Sequence, residues 1–427
     1  MAPSQDKHDD TMTAPSTTIL AFPRHAPIGS FGSADGELTV GGVPLARLAA
    51  RVGRTPFYAY SRDAISRRVA QVRQALPPAV ELHYAMKANP MPALVGHLAG
   101  LTDGIDVASA AEMHTALDAG VAPERISFAG PGKTGDELAQ AVAAGITINL
   151  ESERQYGQAM TLAARLAVSP QLAIRINPAF ELKSSGMKMG GGPKPFGIDQ
   201  DEVPGLLARM RSDGVDPVGF HIYCGSQNLD AVAIVEAQRQ SVALALELAK
   251  GLRNRLRWLN IGGGFGVTYF AGEQPLDLAP IASALHGLSR RVEAELAAPI
   301  VLELGRYLVA EAGVYVSRVI DRKISCGQVF LVVDGGLHHN LAASGNFGQV
   351  IRKNYPVCVG NRLDDPVREN QSVVGPLCTP LDLLADRVDL PRAAPGDLFV
   401  VFMAGAYGRS ASPTAFLSHP AAAEVLV

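Results

Sequence analysis

Short runs of apolar residues, many of them β-branched or aromatic, alternate with longer helical segments between about residues 55 and 300. In the longer segments, such as 110–119 and 136–144, alanine and leucine recur at the spacing of one helix face. The short runs predict buried strands. We place these strands at residues 57–60, 81–86, 104–107, 126–128, 147–150, 172–176, 218–222, 258–261 and 300–303.

This alternation is typical of two parallel-sheet architectures. About eight strand–helix units over roughly 250 residues indicate a (β/α)8, TIM-like barrel, which we assign to residues 55–307. A doubly wound open sheet has the same local alternation and remains the alternative.

The pattern changes after residue 308, where strand-like runs are separated by turns and helical periodicity is weak. We predict a C-terminal, mostly β domain over 308–427, so the fold class is α/β. Residues 30–54 are assigned to the same domain because 36–43 is strand-like. The first 28 residues are polar and predict a disordered tail. The strands of the β domain are predicted at 314–319, 328–333, 371–374 and 397–402.

Composition excludes several classes of partner. The 427 residues are 47% hydrophobic and 19% charged, with a net charge of −3, which gives no electrostatic case for nucleic acid or membrane. No apolar run approaches the roughly 18 residues that a transmembrane helix needs. The four cysteines lack CxxC spacing, which favours neither zinc nor disulfides and fits a cytoplasmic protein. His338 and His339 would point to opposite faces of a strand, so we predict no metal site.

Lys87 is the first candidate for chemistry. It follows the strand predicted at 81–86 and precedes Ala-Asn-Pro, at the strand end where barrel enzymes carry reactive groups. A lysine there can lose its proton and form a Schiff base. Taken alone, the commoner interpretation is a lysine that extends to solvent.

Later strand ends add a candidate phosphate site. Gly262, Gly263 and Gly264 follow the strand at 258–261 and permit close approach of backbone N–H groups to an anion. No acidic ribose partner lies about 20 residues on, so the loop is a poor dinucleotide motif. Glycines that serve only a tight turn are the alternative.

Charged and aromatic residues end three further strands. Glu303 can keep a pyridine nitrogen protonated while Arg306 adds charge to a phosphate site, although the two also fit a surface ion pair. Tyr223 offers a flat ring for stacking, whereas His221 alone is more often a hydrogen-bonded core histidine than a catalytic one. Asp106 is an inward-facing candidate or a helix cap.

Taken in order, these segments resemble the pyridoxal-phosphate decarboxylases of the alanine-racemase fold (fold type III), which include the ornithine, diaminopimelate and arginine decarboxylases. The resemblance runs from about residue 35 to the C-terminus and implies pyridoxal 5'-phosphate as cofactor, with Lys87 as its aldimine lysine and Glu303 on its pyridine nitrogen. It also implies a head-to-tail homodimer in which Cys378 and Asp382 reach the partner's active site. Further cofactor contacts are implied for Asp106, Tyr223, Ser226, Gly262, Gly263, Gly264, Gly305, Arg306 and Tyr407.

The implied reaction removes the α-carboxylate of an amino-acid centre as CO2. The ring nitrogen paired with Glu303 makes the cofactor an electron sink. Cys378 or Lys87 then returns a proton to the same carbon.

Departures from the family pattern bear on the substrate. Tyr223 stands where the family usually has a stacking histidine. Thr379 stands where an acid usually holds a distal amine, which argues against ornithine, arginine or diaminopimelate. No pattern of arginine and tyrosine that would grip a distal carboxylate is recognisable in 334–355.

The substrate is predicted from a narrower resemblance. Residues 187–197 and the Gly-Pro-Leu-Cys-Thr-Pro segment resemble decarboxylases of siderophore assembly, of carrier-protein-bound glutamate and of exosortase systems. We therefore expect a conjugated or carrier-protein-bound amino acid, contacted by Thr379 and Asp382 and admitted by the 187–197 loop. A solvated loop is equally consistent with that composition.

Four alternatives remain open on sequence alone. They are a diaminopimelate decarboxylase of lysine synthesis, a racemase of the same fold, a non-catalytic pyridoxal-phosphate-binding protein and an NAD-dependent dehydrogenase.

Overall fold

The computed structural model describes residues 28–184 and 186–427. The predicted N-terminal tail therefore lies, apart from Ile28, outside the described residues. No helix in the described part of the chain is long and apolar enough to cross a membrane.

Eight parallel strands form a closed barrel. Parallel pairing joins the last strand to the first, with Leu304 opposite Tyr84, and Thr147 opposite Gln171 completes the opposite side. The predicted barrel is confirmed, and the open doubly wound sheet is wrong. The strands are Val80–Ala85, Gly104–Val107, Ile126–Phe128, Thr147–Leu150, Gln171–Asn177, Gly219–Ile222, Trp258–Gly263 and Ile300–Leu304.

Helices connect the barrel strands, and polar residues fix where they begin. Thr134 and Glu137 form a capping box, in which each side chain accepts a hydrogen bond from the other's backbone N–H. The Ser109 and Ser152 side chains also accept N-cap bonds. These helices are Arg62–Ala75, Pro92–Ala99, Ala110–Asp118, Gly135–Ala144, Glu153–Leu166, Val203–Ser212, Ala231–Ala249 and Ala279–Leu296.

The strand Phe57–Tyr60 lies outside the barrel, although the alternation in the sequence predicted it as a barrel strand. It pairs with Gly313–Ser325 and with Ala423–Leu426 in the sheet of the β domain. All four of its residues are buried. A strand buried on both faces has no alternating pattern, so its sequence does not reveal which sheet it joins.

The β domain is organised around Gly313–Ser325, which pairs with three other strands. An N-terminal hairpin joins this domain through backbone hydrogen bonds from Leu38 N to Gly360 O and from Leu363 N to Gly36 O. The other strands are Gly32–Ala34, Glu37–Val40, Val43–Pro44, Gln328–Val333, Val357–Val359, Arg368–Val374, Leu383–Pro391 and Leu398–Val401. Shorter elements are the helices Leu45–Val52 and Arg306–Val309, the 3-10 turns Met86–Ala88, Pro123–Arg125, Ala310–Ala312 and Phe416–Ser418, and the two-residue strands Met187–Lys188, Ile198–Asp199 and Gly225–Ser226.

The two domains meet where the first barrel strand ends. Asn89 Nδ2 donates to Gly405 O at 2.9 Å, and Tyr407 N donates to Ala88 O at 2.8 Å. A Cβ on Gly405 would lie 1.8 Å from Val309 O. Backbone packing at Gly405 therefore brings Tyr407 to the segment that carries Lys87.

Gly405→Ala should lower the free energy of unfolding of the protein by at least about 2 kcal/mol, because the new methyl group must displace backbone rather than a flexible side chain. Gly287→Ala is the matched control. It lies in an exposed helix position with nothing within 4 Å of its Cβ, so it should stabilise the protein by about 0.5–1 kcal/mol. Chemical denaturation measures both, and a neutral Gly405→Ala variant would contradict the close domain contact.

Candidate active site

Lys87 and Glu303 form an ion pair at the carboxyl end of the barrel. Lys87 lies in the turn Met86–Ala88 directly after one strand, and Glu303 lies on the adjacent parallel strand. Lys87 Nζ donates to Glu303 Oε1 at 3.2 Å. The Lys87 side chain is 43% accessible, whereas that of Glu303 is 4% accessible. A solvent-accessible amine thus stands beside a buried carboxylate.

Burial opposes the charge on both members of this pair, and their attraction outweighs it. The Glu303 carboxylate, with smaller contributions from Tyr223 and Tyr407, raises the pKa of Lys87 above its ordinary value. The Lys87 ammonium, together with His221, holds the pKa of Glu303 well below its usual range. Without cofactor the amine is therefore protonated at neutral pH.

His221 and Tyr223 complete the surroundings of the ion pair. His221 Nε2 lies 3.1 Å from Glu303 Oε2, and both side chains are buried. The Tyr223 ring centroid lies 5.2 Å from Lys87 Nζ. Burial raises the pKa of Tyr223 to about 12, although Lys87 opposes the shift. His221, which the sequence left open between core and function, touches the buried carboxylate.

The glycine loop of residues 262–264 requires glycine at each step. Gly262 and Gly264 have φ values of 68° and 74°, which disfavour residues with a side chain. A Cβ on Gly262 would lie 2.8 Å from Tyr223 Cδ2, and one on Gly264 would lie 2.5 Å from Gly225 O. The loop therefore packs directly against the Tyr223 segment.

Gly263 and Gly305 leave no room for a side chain beside the two strands that carry the ion pair. A Cβ on Gly263 would lie 2.4 Å from Glu303 O, and one on Gly305 would lie 3.0 Å from Ala85 O. Ser226 follows Tyr223 and faces Met187 in the short antiparallel pairing of Gly225–Ser226. The predicted glycines and Ser226 thus adjoin the strands that carry the ion pair.

Arg306 lies between two tyrosine rings. Its guanidinium carbon is 4.6 Å from the Tyr407 ring centroid and 5.6 Å from that of Tyr269. Nη1 donates to the Tyr269 hydroxyl at 2.7 Å. Nε is buried without a partner among the described residues. Arg306 therefore keeps hydrogen-bond donors for an anion.

Asp106 lies on the second barrel strand, where it is paired in register with Ala85, two residues before Lys87. Its Oδ1 lies 3.4 Å from His83 Nδ1, and its buried Oδ2 has no partner in the described part of the chain. The helix-cap alternative is wrong, because Ser109 caps the following helix.

Arg175 belongs to the same site but carried no motif that could have singled it out. It is buried on Gln171–Asn177, and its Nη1 donates to Glu151 Oε1 at 3.0 Å. Its charge acts on both Lys87 and Glu303. Its position near a strand end was the available signal.

The predicted substrate residues lie on a separate turn of the β domain. Cys378 is exposed, and the Thr379 hydroxyl accepts from Leu381 N at 3.3 Å. Among the described contacts, none joins Cys378 or Thr379 to Lys87. Asp382 is 2% exposed, and its two oxygens accept from Leu337 N at 2.6 Å and from Leu377 N at 2.9 Å. The assignment of Asp382 to substrate contact is therefore replaced by a structural one, because its carboxylate is committed to backbone amides.

The adjacent histidines do not lie on a strand, which corrects the argument made from sequence. Gln328–Val333 ends before them, and the rings of His338 and His339 lie with centroids 3.7 Å apart and planes tilted by 43°. Burial, with smaller contributions from His339 and His419, lowers the pKa of His338 to about 3. Within residues 28–184 and 186–427, no group of three or more His, Cys, Asp or Glu residues is placed to hold a metal ion.

A closed barrel with an amine at the carboxyl end of its strands and a β domain beside it has the architecture of a barrel enzyme with its reactive groups at the strand ends. More narrowly, the chain belongs to the pyridoxal-dependent decarboxylases, because the model of their pyridoxal binding domain matches residues 62–310. The protein is accordingly a decarboxylase that uses pyridoxal phosphate. This membership argues against the racemase, the dehydrogenase and the non-catalytic alternatives.

Characterised relatives cover most of the chain. An L-glutamyl-[BtrI acyl-carrier protein] decarboxylase of Niallia circulans is 39% identical over 87% of this chain and 88% of its own length. A diaminopimelate decarboxylase of Aquifex aeolicus is 34% identical, with 92% and 91% covered. A 2-[(L-alanin-3-ylcarbamoyl)methyl]-2-hydroxybutanedioate decarboxylase of Staphylococcus aureus is 30% identical, with 85% and 92% covered.

Solved structures share both domains. Diaminopimelate decarboxylase from Helicobacter pylori, complexed with L-lysine, has a TM-score of 0.79 and 30% identity over 90% of this chain and 94% of its own. A variant of SrLDC in complex with PLP has a TM-score of 0.75 and 25% identity, with 90% and 94% covered. The predicted alanine-racemase-like fold is confirmed.

The residues present fit pyridoxal phosphate. Arg306 has a buried Nε and Asp106 a buried Oδ2, each without a partner in the described chain, and the glycine loop packs too closely against its neighbours to carry side chains. Lys87 would hold the cofactor's aldehyde carbon, Glu303 its ring nitrogen, and Arg306 its phosphate. The bound cofactor supplies an electron sink for the charge left on loss of CO2. The depressed pKa of Glu303 keeps its carboxylate ionised, with His221 against its second oxygen.

Glu303→Gln should increase the rate at which an acylating reagent labels Lys87 in the apoprotein at pH 8. Burial alone lowers the pKa of an amine, so removing the carboxylate that raises it enlarges the neutral, reactive fraction by about tenfold or more. Peptide mass spectrometry measures the labelling, with exposed Lys250 as the internal control. Equal or slower labelling of Lys87 in the variant would contradict the assigned pairing.

Proposed function

We propose that this decarboxylase acts on an amino-acid centre within a conjugated or carrier-protein-bound intermediate. The observation that carries the proposal is the turn of residues 375–382, in which Thr379 is neutral and the one acidic residue is Asp382. Both oxygens of Asp382 accept backbone hydrogen bonds. This turn therefore offers no free carboxylate to a substrate's distal ammonium.

The relatives support the same substrate class. The Niallia circulans relative, at 39% identity, is named for a glutamyl group on an acyl-carrier protein. The Staphylococcus aureus relative is named for an alanine unit within a larger carboxylate. The Aquifex aeolicus relative is named for free diaminopimelate and is 34% identical. The proposed substrate shares with the first two an amino-acid centre joined to a larger group.

The loop at 186–197 supports a route for such a substrate. Met187–Lys188 pairs with Gly225–Ser226, while Met189 N and Gly190 N donate to Cys224 O. At its other end, Phe196 lies 5.2 Å from the Arg175 guanidinium. These contacts hold the loop against Ser226 and Arg175. Met187 is 47% exposed at the edge of the loop. We propose that it forms one wall of the entrance.

We further propose a head-to-tail homodimer in which the partner's Cys378 supplies the proton that replaces CO2. The support is an exposed apolar patch on the same face of the β domain. Asn346 Nδ2 donates to Leu381 O at 3.3 Å, which ties the 344–352 loop to the Cys378 turn. A second copy covering this patch would remove apolar surface from water. The patch comprises Phe347, Val350, Ile351 and Leu381, which are 40%, 101%, 77% and 58% exposed.

A carrier-bound or amide-conjugated amino acid should be turned over with a kcat/KM at least about 100-fold above that of free meso-diaminopimelate. The reason is that the distal ammonium of the free substrate would lose its carboxylate partner. Release of CO2 and mass spectrometry of the amine measure both reactions. Thr379→Glu is the matched variant. It should reduce the ratio of the two kcat/KM values, because it supplies a carboxylate for the distal ammonium. Robust lysine formation by the unaltered protein would favour the diaminopimelate alternative instead.

Cys378→Ala should retain the visible absorbance of the bound cofactor while losing about 100-fold or more of its turnover, because the general acid is absent. Diversion to transamination is the expected side reaction. Cys326→Ala is the matched control, since Cys326 is also an exposed free cysteine. Unchanged amine yield from Cys378→Ala would remove this thiol from the mechanism.

Mixing the inactive Lys87→Ala and Cys378→Ala proteins should restore about a quarter of the wild-type activity. Random exchange makes half of the dimers mixed, and each mixed dimer has one intact site if sites are shared. Activity after subunit exchange measures this, with each variant alone as control. A mixture that is dimeric but stays inactive would contradict shared sites.

A further inference from the structure

Tyr269 contacts Arg306, a residue of the predicted phosphate site. It belongs to none of the motifs from which that site was predicted. It follows the glycine loop in sequence, five residues after Gly264. Its hydroxyl accepts from Arg306 Nη1 at 2.7 Å, and its ring lies on one side of the guanidinium, 5.6 Å away. Tyr407 is 4.6 Å away. Tyr269 therefore links the segment after the glycine loop to Arg306, which follows the next barrel strand.

The position of Tyr269 is itself tightly determined. The backbone N–H groups of Tyr269 and Phe270 both donate to Glu273 Oε2, at 2.8 and 3.0 Å. The Tyr269 ring packs on the Tyr355 ring with centroids 4.9 Å apart, and Tyr269 is 5% exposed. The hydroxyl is thus held in place before any ligand arrives.

Arg306 keeps donors that this arrangement does not use. A guanidinium carries several N–H groups in a rigid plane. One is committed to Tyr269, whereas the buried Nε has no partner among residues 28–184 and 186–427. A buried donor without a partner is costly, so an anionic acceptor at this point is expected. Tyr269 determines the plane in which the remaining donors lie.

We propose that Tyr269 is a positioning residue that orients Arg306 toward the phosphate of pyridoxal phosphate. It acts through the guanidinium rather than by touching the cofactor. The inference rests on the cofactor that the family uses and is independent of the proposed carrier-bound substrate.

The test compares two ligands of the apoprotein, pyridoxal 5'-phosphate and pyridoxal, by absorbance titration. Tyr269→Phe keeps the packed ring and removes the hydroxyl. It should raise the dissociation constant of pyridoxal 5'-phosphate by about tenfold or more, as expected for losing one hydrogen bond to a charged group. The dissociation constant of pyridoxal, which lacks the phosphate, should change less than about twofold. Tyr355→Phe is the matched control and should change neither value.

A double-variant cycle separates positioning from general damage. In an Arg306→Met background, Tyr269→Phe should have no further effect on either ligand, because its action passes through the guanidinium. A general loss of stability in Tyr269→Phe would weaken both ligands alike, so the pyridoxal titration distinguishes it from a loss of positioning. Equal weakening of both ligands, the same loss in Tyr355→Phe, or additive effects with Arg306→Met would each overturn the proposal.

Discussion

The buried carboxylate of Glu303 is the constraint around which the site is built. A charge this deep is stable only with partners, and the barrel supplies them from neighbouring strands. Lys87 approaches one oxygen and His221 the other. Because the last and first strands pair in register, the two ends of the barrel sequence must meet before Lys87 and Glu303 do. The ion pair therefore depends on closure of the barrel.

The β domain contributes to the same site through backbone contact. The chain reverses at Gly405, which has no room for a side chain, and Tyr407 then bonds to Ala88 next to Lys87. The Tyr407 ring also lies against the guanidinium of Arg306, whose carbon is 4.6 Å from the ring centroid. Asp382 serves the β domain itself by holding the turn that carries Cys378. The β domain thus places Tyr407 beside the barrel site and presents the Cys378 thiol on an exposed turn.

Much of this arrangement followed from sequence because strand-end motifs and periodicity are local signals. The eight barrel strands and the residues Lys87, Glu303 and Arg306 were predictable in that way. Pairing partners are not local. For that reason the sequence placed Phe57–Tyr60 in the wrong sheet and assigned Asp382 to substrate contact. The contributions of His221, Arg175 and Tyr269 depend on what each side chain meets across the barrel. Spacing along the chain does not specify those contacts.

The central claim is that Lys87 carries the cofactor, and chemical reactivity alone would favour a different lysine. Burial lowers the pKa of Lys133 to about 8, yet its side chain is 1% exposed and its Nζ donates to Gly130 O at 2.7 Å and to Asn149 O at 2.8 Å. Borohydride reduction of the holoenzyme followed by peptide mass spectrometry locates the bound cofactor directly. We predict the added mass on the Lys87 peptide alone. Addition at Lys133, or at no lysine, would contradict the account.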